Sequence, residues 1–267
     1  MDRFLGVSLS TLLALAAITG PVLAQEQSSS ELAKAAQNPV GSLISLPFQN
    51  NTTFNVGSAD RTQNVLNIQP VWPVSIAKKW NLITRTIVPV ISQPAPGSDR
   101  TNGLGDINFT GFISPKEPGK LIWGAGPALV FPTATDDVLG SDKFSLGPSV
   151  VLLTMPGSWL IGGLVSNVWS VAGDDDASDV NSFLFQYFVN YNYPSGFYWT
   201  SAPIITANWE ASSGNKWTVP FGGGAGKVFK IGKQPINTSL QAFYNVEKPN
   251  SGGDWTLRFQ VQLLFPK

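Results

Sequence analysis

Three short stretches carry residue types that do chemistry. Asp174, Asp175 and Asp176 form an acidic run, and clustered carboxylates are calcium ligands. The run lacks the spaced oxygen donors and the distal Glu of a calcium-binding loop, so it reads as a solvated acidic connection. "FGGGAGKV", from Phe221 to Val228, invites comparison with a phosphate-binding loop. It fails there, because Phe221 stands where that loop begins with glycine, and Val228 where Ser or Thr must bind magnesium. Its glycines suit a strand that backbone or ligand approaches closely. "GLGD", from Gly103 to Asp106, is too short to signify a nucleotide fold and opens a strand.

The chain contains no histidine and no cysteine. The commonest general base, the usual activator of a nucleophilic serine, disulfide staples and thiolate metal sites are therefore all missing. Carboxylate pairs remain open to it, but the acids sit mainly in connections, with no pairing readable from their spacing. The sequence thus reads as that of a non-enzyme without a cofactor or a metal site.

What remains are polar residues on one side of predicted strands. Arg85, Asp106, Asn108, Gln186, Asn190, Asn208, Glu210, Gln241, Arg258 and Gln260 all fall there. If the strands cross a membrane, a basic side chain facing lipid at mid-depth costs about 2–4 kcal/mol, which turns Arg85 inward. Such residues either fill a narrow barrel with a hydrogen-bonded network or line a route through it.

The elements that must position them are strands. Only 13% of the residues are charged, while 26 Gly, 20 Pro and 9 Trp suit many short strands and turns. Basic and acidic residues balance, which argues against a nucleic-acid partner. The first residues, with an apolar run from Phe4 to Ile18 and small residues before Gln25, predict an export signal over 1–24. A polar segment over 25–40 follows, with a short helix or plug predicted before Asn38-Pro39.

From about residue 41 to 267, brief connections such as "MPGS" at Met155 alternate with long polar ones such as "PTATDDVLGSDK" at Pro132. About twelve segments of membrane-spanning length lie between them, which predicts an all-β, antiparallel, up-and-down transmembrane β-barrel with both termini on the short-turn side. The closing "WTLRFQVQLLFPK" is the clearest strand: Trp255, Leu257, Phe259, Val261, Leu263 and Phe265 alternate with Arg258, Gln260 and Gln262. Tryptophan and tyrosine cluster near both sets of strand ends, Tyr198 among them, as interface girdles do. Seven prolines inside the segments, Pro70, Pro73, Pro89, Pro127, Pro148, Pro203 and Pro220, count against a regular sheet, because each removes a ladder donor.

"NLITRTIVPVISQP" from Asn81, "GLGDINFTGFISP" from Gly103, "WGAGPALVFPTATDDVLGSDKFSLGPSVV" from Trp123, "FLFQYFVNYNYPSGFYWTSAPIITANW" from Phe183 and "RFQVQLLFPK" from Arg258 together span nearly the whole chain after the signal. In them the sequence resembles the MetA-pathway of phenol degradation proteins, a bacterial outer-membrane family described as transporters. The resemblance implies an outer-membrane barrel handling small hydrophobic or aromatic solutes, and brings no catalytic motif. The expected partners are outer-membrane lipid and lipopolysaccharide, the barrel assembly machinery and a small-molecule solute. The alternative is a structural or adhesive barrel without transport.

Overall fold

The computed structural model describes residues 28–95 and 99–266, so the predicted export signal lies outside the described residues. One helix, α1 (Ser29–Gln37), precedes fifteen strand segments: β1 (Ile44–Val56), β2 (Arg61–Ile68), β3 (Val71–Ser75), β4 (Trp80–Pro94), β5 (Arg100–Leu104), β6 (Ile107–Pro115), β7 (Leu121–Phe131), β8 (Lys143–Thr154), β9 (Trp159–Gly173), β10 (Asn181–Asn192), β11 (Phe197–Ser201), β12 (Ile204–Asn208), β13 (Trp217–Ile231), β14 (Gln234–Glu247) and β15 (Trp255–Phe265). β2 continues into β3, β5 into β6 and β11 into β12 across two-residue breaks, so the segments make twelve staves. Each stave pairs antiparallel with its neighbours in sequence, and β1 pairs with β15 from Ile44 opposite Phe265 to Phe54 opposite Trp255. That last ladder closes an up-and-down barrel. Among the described residues no helix is long and apolar enough to cross a membrane.

Alternation sets the two faces. In β15, Phe259 and Phe265 point out and are exposed, while Arg258, Gln262 and Leu264 point in and are buried. Val150, Leu152, Ile161, Val165 and Leu240 extend the exposed apolar band around the wall. Aromatic rings border it at both ends. Trp159, Tyr191, Tyr193, Phe197 and Trp199 form a chain of edge and tilted contacts with centroids 4.9–5.8 Å apart by the short turns. Trp209 meets Trp217 at 5.3 Å, and Phe54 stacks on Trp255 at 4.3 Å, by the long connections. Tyr198 is a correction to the girdle: it is buried inside the barrel, and its hydroxyl donates to Asn237 Oδ1 at 2.7 Å. Trp199 takes the outward position, and period two sends its neighbour inward.

Five of the seven prolines have a place. Pro70 and Pro203 lie in stave breaks, and Pro220 lies at a register shift against β14. Pro127 and Pro148 face each other across the β7–β8 ladder, and each borders a gap in the ladder on its other side. Backbones crowd at those gaps: a Cβ on Gly126 would collide with the Gly111 carbonyl, and one on Gly147 with that of Asn167.

The inside of the short-turn end is apolar. Ser28 caps α1, accepting from Glu31 N at 3.2 Å and donating its own N–H to the Glu31 carboxylate at 3.0 Å. Leu32 and Ala33 pack with Leu43 on Tyr198, Val228 and Leu264 of one wall. Val40 packs on Ile83, Phe112 and Val151 of the other. The segment over 29–43 therefore crosses the lumen as a bar. The apolar residues on both faces of "LITRTIVPVIS" follow from it, because Ile83 faces this packing while Val90 faces outward.

At the opposite end, Asp254 binds Lys248 Nζ at 2.7 Å and accepts from Asn55 Nδ2 at 2.8 Å, tying the last long connection to β1. The Lys248 ammonium first, and the Asn55 amide second, hold this carboxyl below the ordinary carboxylate value. A carboxyl depressed in the folded state contributes stability above its unfolded pKa, and the contribution is lost as pH falls through the folded one. Exchange of the Asn245 and Asp254 amides, corrected for intrinsic pH dependence, should accelerate as pH drops below the ordinary carboxylate range. Asp254→Asn should exchange quickly and independently of pH. A second test concerns the crowded ladder: Gly126→Ala should destabilise the barrel by about 1–3 kcal/mol, read as a lower midpoint of heat-modifiable gel migration.

Candidate functional site

Two cavities in the lumen are lined by the described residues. The inner one, about 170 Å³, lies beside residues 35–39 and is lined by Gln49, Gln69, Arg85, Gln241 and Arg258 among others. The outer one, about 540 Å³, opens toward the long connections and is lined by Gln63, Asp106, Asn108 and Ser166 among others. Arg85, Leu164 and Gln186 line both, so the cavities meet at mid-barrel.

Each stave break supplies a polar group to this interior. At the first, Gln69 turns inward; its Oε1 accepts from Arg85 at 2.6 Å, and its Nε2 donates to Gln49 Oε1 at 3.2 Å. At the third, the Ala202 carbonyl accepts from Arg258 at 2.8 Å and from Gln186 Nε2 at 3.3 Å. Arg258 also donates Nε–H to Asn51 Oδ1 at 2.9 Å, and its guanidinium lies 4.8 Å from the centre of the Phe243 ring. All these acceptors are neutral. Among the described residues neither Arg85 nor Arg258 forms an ion pair, and both line the inner cavity.

At the second break stands Asp106, whose carboxylate is consumed by one connection. It accepts from the N–H groups of Thr133 (3.1 Å), Ala134 (3.2 Å) and Ser141 (2.8 Å) and from Ser141 Oγ (2.8 Å). The hydroxyl oxygens of Thr133 and Thr135 accept from the backbone N–H groups of Ile107 and Leu104. The connection over 132–142 is thereby folded inward, burying Leu139 and placing Val138 to Ser141 on the lining of the outer cavity. Asn108 donates to the Asp106 carbonyl at 3.0 Å.

The remaining polar residues divide. Asn190, Gln241 and Gln260 line the inner cavity; Gln241 Oε1 is buried and has no hydrogen-bond partner among the described residues. Asn208 and Glu210 do not line either cavity and are exposed. They lie where the chain leaves the wall, and Asn208 Oδ1 accepts from Glu210 N at 3.1 Å in a local turn. Gln49, Asn51, Gln69 and Tyr198 are lumen residues that strand-by-strand polarity missed. The first two were accessible from the alternation Ser45, Pro47, Gln49, Asn51 in β1.

Fold and interior together define a closed β-barrel with a polar, partly filled lumen. No protein-family model matches the chain, and no curated protein matches it in sequence. Among solved structures, it is similar to an outer-membrane channel from Pseudomonas putida F1, at 19% identity over 85% of this chain and 97% of that one, with a TM-score of 0.66. It is also similar to the NanC porin, at 11% identity over 84% and 100% of the two chains, with a TM-score of 0.54. The fold is thus that of outer-membrane channel barrels. The chain is further similar to outer membrane phospholipase A from Escherichia coli, at 12% identity over 90% and 99% of the chains and a TM-score of 0.42. The reading of the chain as a non-enzyme is corrected on its own ground, since it rested on the missing histidine while carboxylates, serines and tyrosines remain. Lack of histidine removes one kind of base, and the barrel architecture itself does not exclude catalysis.

Because one carboxylate holds the inward connection, Asp106→Ala should release it. Limited proteolysis within 132–142 should become at least several-fold faster while the barrel stays heat-modifiable.

Proposed function

We propose that this protein is a passive outer-membrane channel for small solutes, hydrophobic and aromatic ones among them, reached through signal-dependent export. The observation that carries the reading is the pair of lumen cavities meeting at Arg85 and Gln186, which gives the interior a nearly continuous polar path. The fold shared with a channel and a porin supports passage. The resemblance of the strand motifs to the MetA-pathway of phenol degradation proteins supports the aromatic solute class. In this reading the exposed apolar band meets membrane lipid and the acidic connections meet lipopolysaccharide. The last strand, with Phe265 near its end, is what the assembly machinery engages.

The bar over 29–43 acts in this reading as the plug. It is held by the two apolar contacts, by the paired amides of Gln37 and Asn192 at 2.9 and 3.0 Å, and by Lys34 donating to the Gly157 carbonyl. A helix of nine residues is marginal by itself, so docking rather than propensity keeps it folded. Liposomes carrying the refolded protein should swell in small phenols and sugars; absence of flux for every solute would favour the structural barrel instead. Deleting residues 25–40 should raise single-channel conductance several-fold, and an unchanged conductance would defeat the plug.

A further inference from the structure

We propose that the inner cavity is a binding site for a small organic carboxylate with a compact apolar or aromatic body. The inference rests on the channel reading for access, and deepens it by naming the charge of the solute. Its ground is an imbalance: among the described residues, Arg85 and Arg258 are the charged ones lining the inner cavity, and no carboxylate lines it. Arg258 is only 7% exposed, and its bonds go to a side-chain amide, a backbone carbonyl and the face of a ring. None of these neutralises its charge. Like charges brought together away from bulk water favour an anion between them, and a carboxylate matches the planar fork of a guanidinium with two parallel hydrogen bonds.

A second observation points to a ligand. Gln241, also 7% exposed, lines the same cavity with its Oε1 unpartnered among the described residues. The Nε2 end of the same amide is the one left accessible on the cavity lining, so it already presents N–H donors there, as an anion requires. The carboxylate of Asp106, on the outer cavity, does not compete for the arginines, since both its oxygens accept from the connection over 132–142.

Size and wall chemistry narrow the class. Leu164 and Phe188, neighbours in one apolar cluster, give the cavity an apolar part of its lining, where a ring or short chain can rest. At about 170 Å³ the cavity is smaller than the roughly 300–1,000 Å³ of pockets that accept drug-sized ligands. A monocyclic carboxylate therefore suits it better than a large conjugate.

The test is equilibrium dialysis of labelled benzoate against the folded full chain in detergent, with benzamide and inorganic phosphate as comparators. Benzoate should bind at least tenfold more tightly than either, and Arg85→Gln and Arg258→Gln should each weaken it tenfold or more. Equal binding of benzamide, or of phosphate, would overturn the proposal with the unaltered protein alone, so it stays decidable if a variant does not fold. Folded variants that bind benzoate unchanged would overturn it too. Liposome swelling separates the two readings. Flux of sugars without benzoate binding would sink the site and leave the channel, whereas benzoate binding without any solute flux would support the site and sink the channel.

Discussion

Every backbone N–H and C=O in a membrane-crossing wall must be satisfied inside the wall, because the hydrocarbon offers no partner. For a sheet, that requirement is met only by closure, and here closure is the ladder between β1 and β15. The first and last staves are thus neighbours in space although they are farthest apart in sequence. The rest of the molecule inherits this constraint. The short-turn end receives both β1 and the end of β15, so the segment before β1 enters the lumen there and packs on Leu264 of the last stave.

The same requirement makes the three stave breaks informative. A break leaves backbone groups outside the regular ladder, and each is tolerated because a neighbouring stave or an inward side chain satisfies them. Gln69 N–H donates to the Pro47 carbonyl, Gly105 N–H to the Pro89 carbonyl, and the Ala202 carbonyl receives Arg258 and Gln186. In return the breaks hold the polar groups that shape the lumen. Gln69 positions Arg85, Ala202 positions Arg258, and Asp106 positions the inward connection. Burying a guanidinium costs several kcal/mol unless its donors are met, and these neutral acceptors meet part of that demand.

The wall was legible in the sequence because it obeys period two. "WTLRFQVQLLF" shows both its faces without help, and the long and short connections mark the two ends. Legibility failed where a residue's environment depends on a distant element. Tyr198 has the composition of an interface residue, yet its place is decided by the inward position opposite Asn237 of β14 and by α1 beyond it. The apolar inner half of β4 made its faces ambiguous because the chain over 29–43, not β4 itself, decides that this part of the lumen is dry. Asn208 is the last residue of β12 and Glu210 continues its polar alternation past the end of the stave, and alternation alone does not say where a wall ends. The breaks were visible only as troublesome prolines and a glycine beside an aspartate. Their role needs the third dimension, because the partner of each freed group lies on another stave.

The segments that enter the two ends of the lumen are held by different physics. At the long-connection end the segment over 132–142 is fixed by hydrogen bonds converging on a single carboxylate, a geometry-specific latch that lasts while Asp106 keeps its charge and position. At the short-turn end the bar is held by a handful of small apolar contacts, a pair of amides and one lysine, with a helix too short to persist undocked. Contacts of the second kind are non-directional and can be exchanged for water or for another apolar surface without leaving a buried charge behind. Arg85 and Arg258 lie between the two segments, in the cavity that residues 35–39 also line. In the channel reading proposed above, the outer segment shapes what enters, the arginines select its charge, and the inner bar is the part whose loss leaves the wall intact.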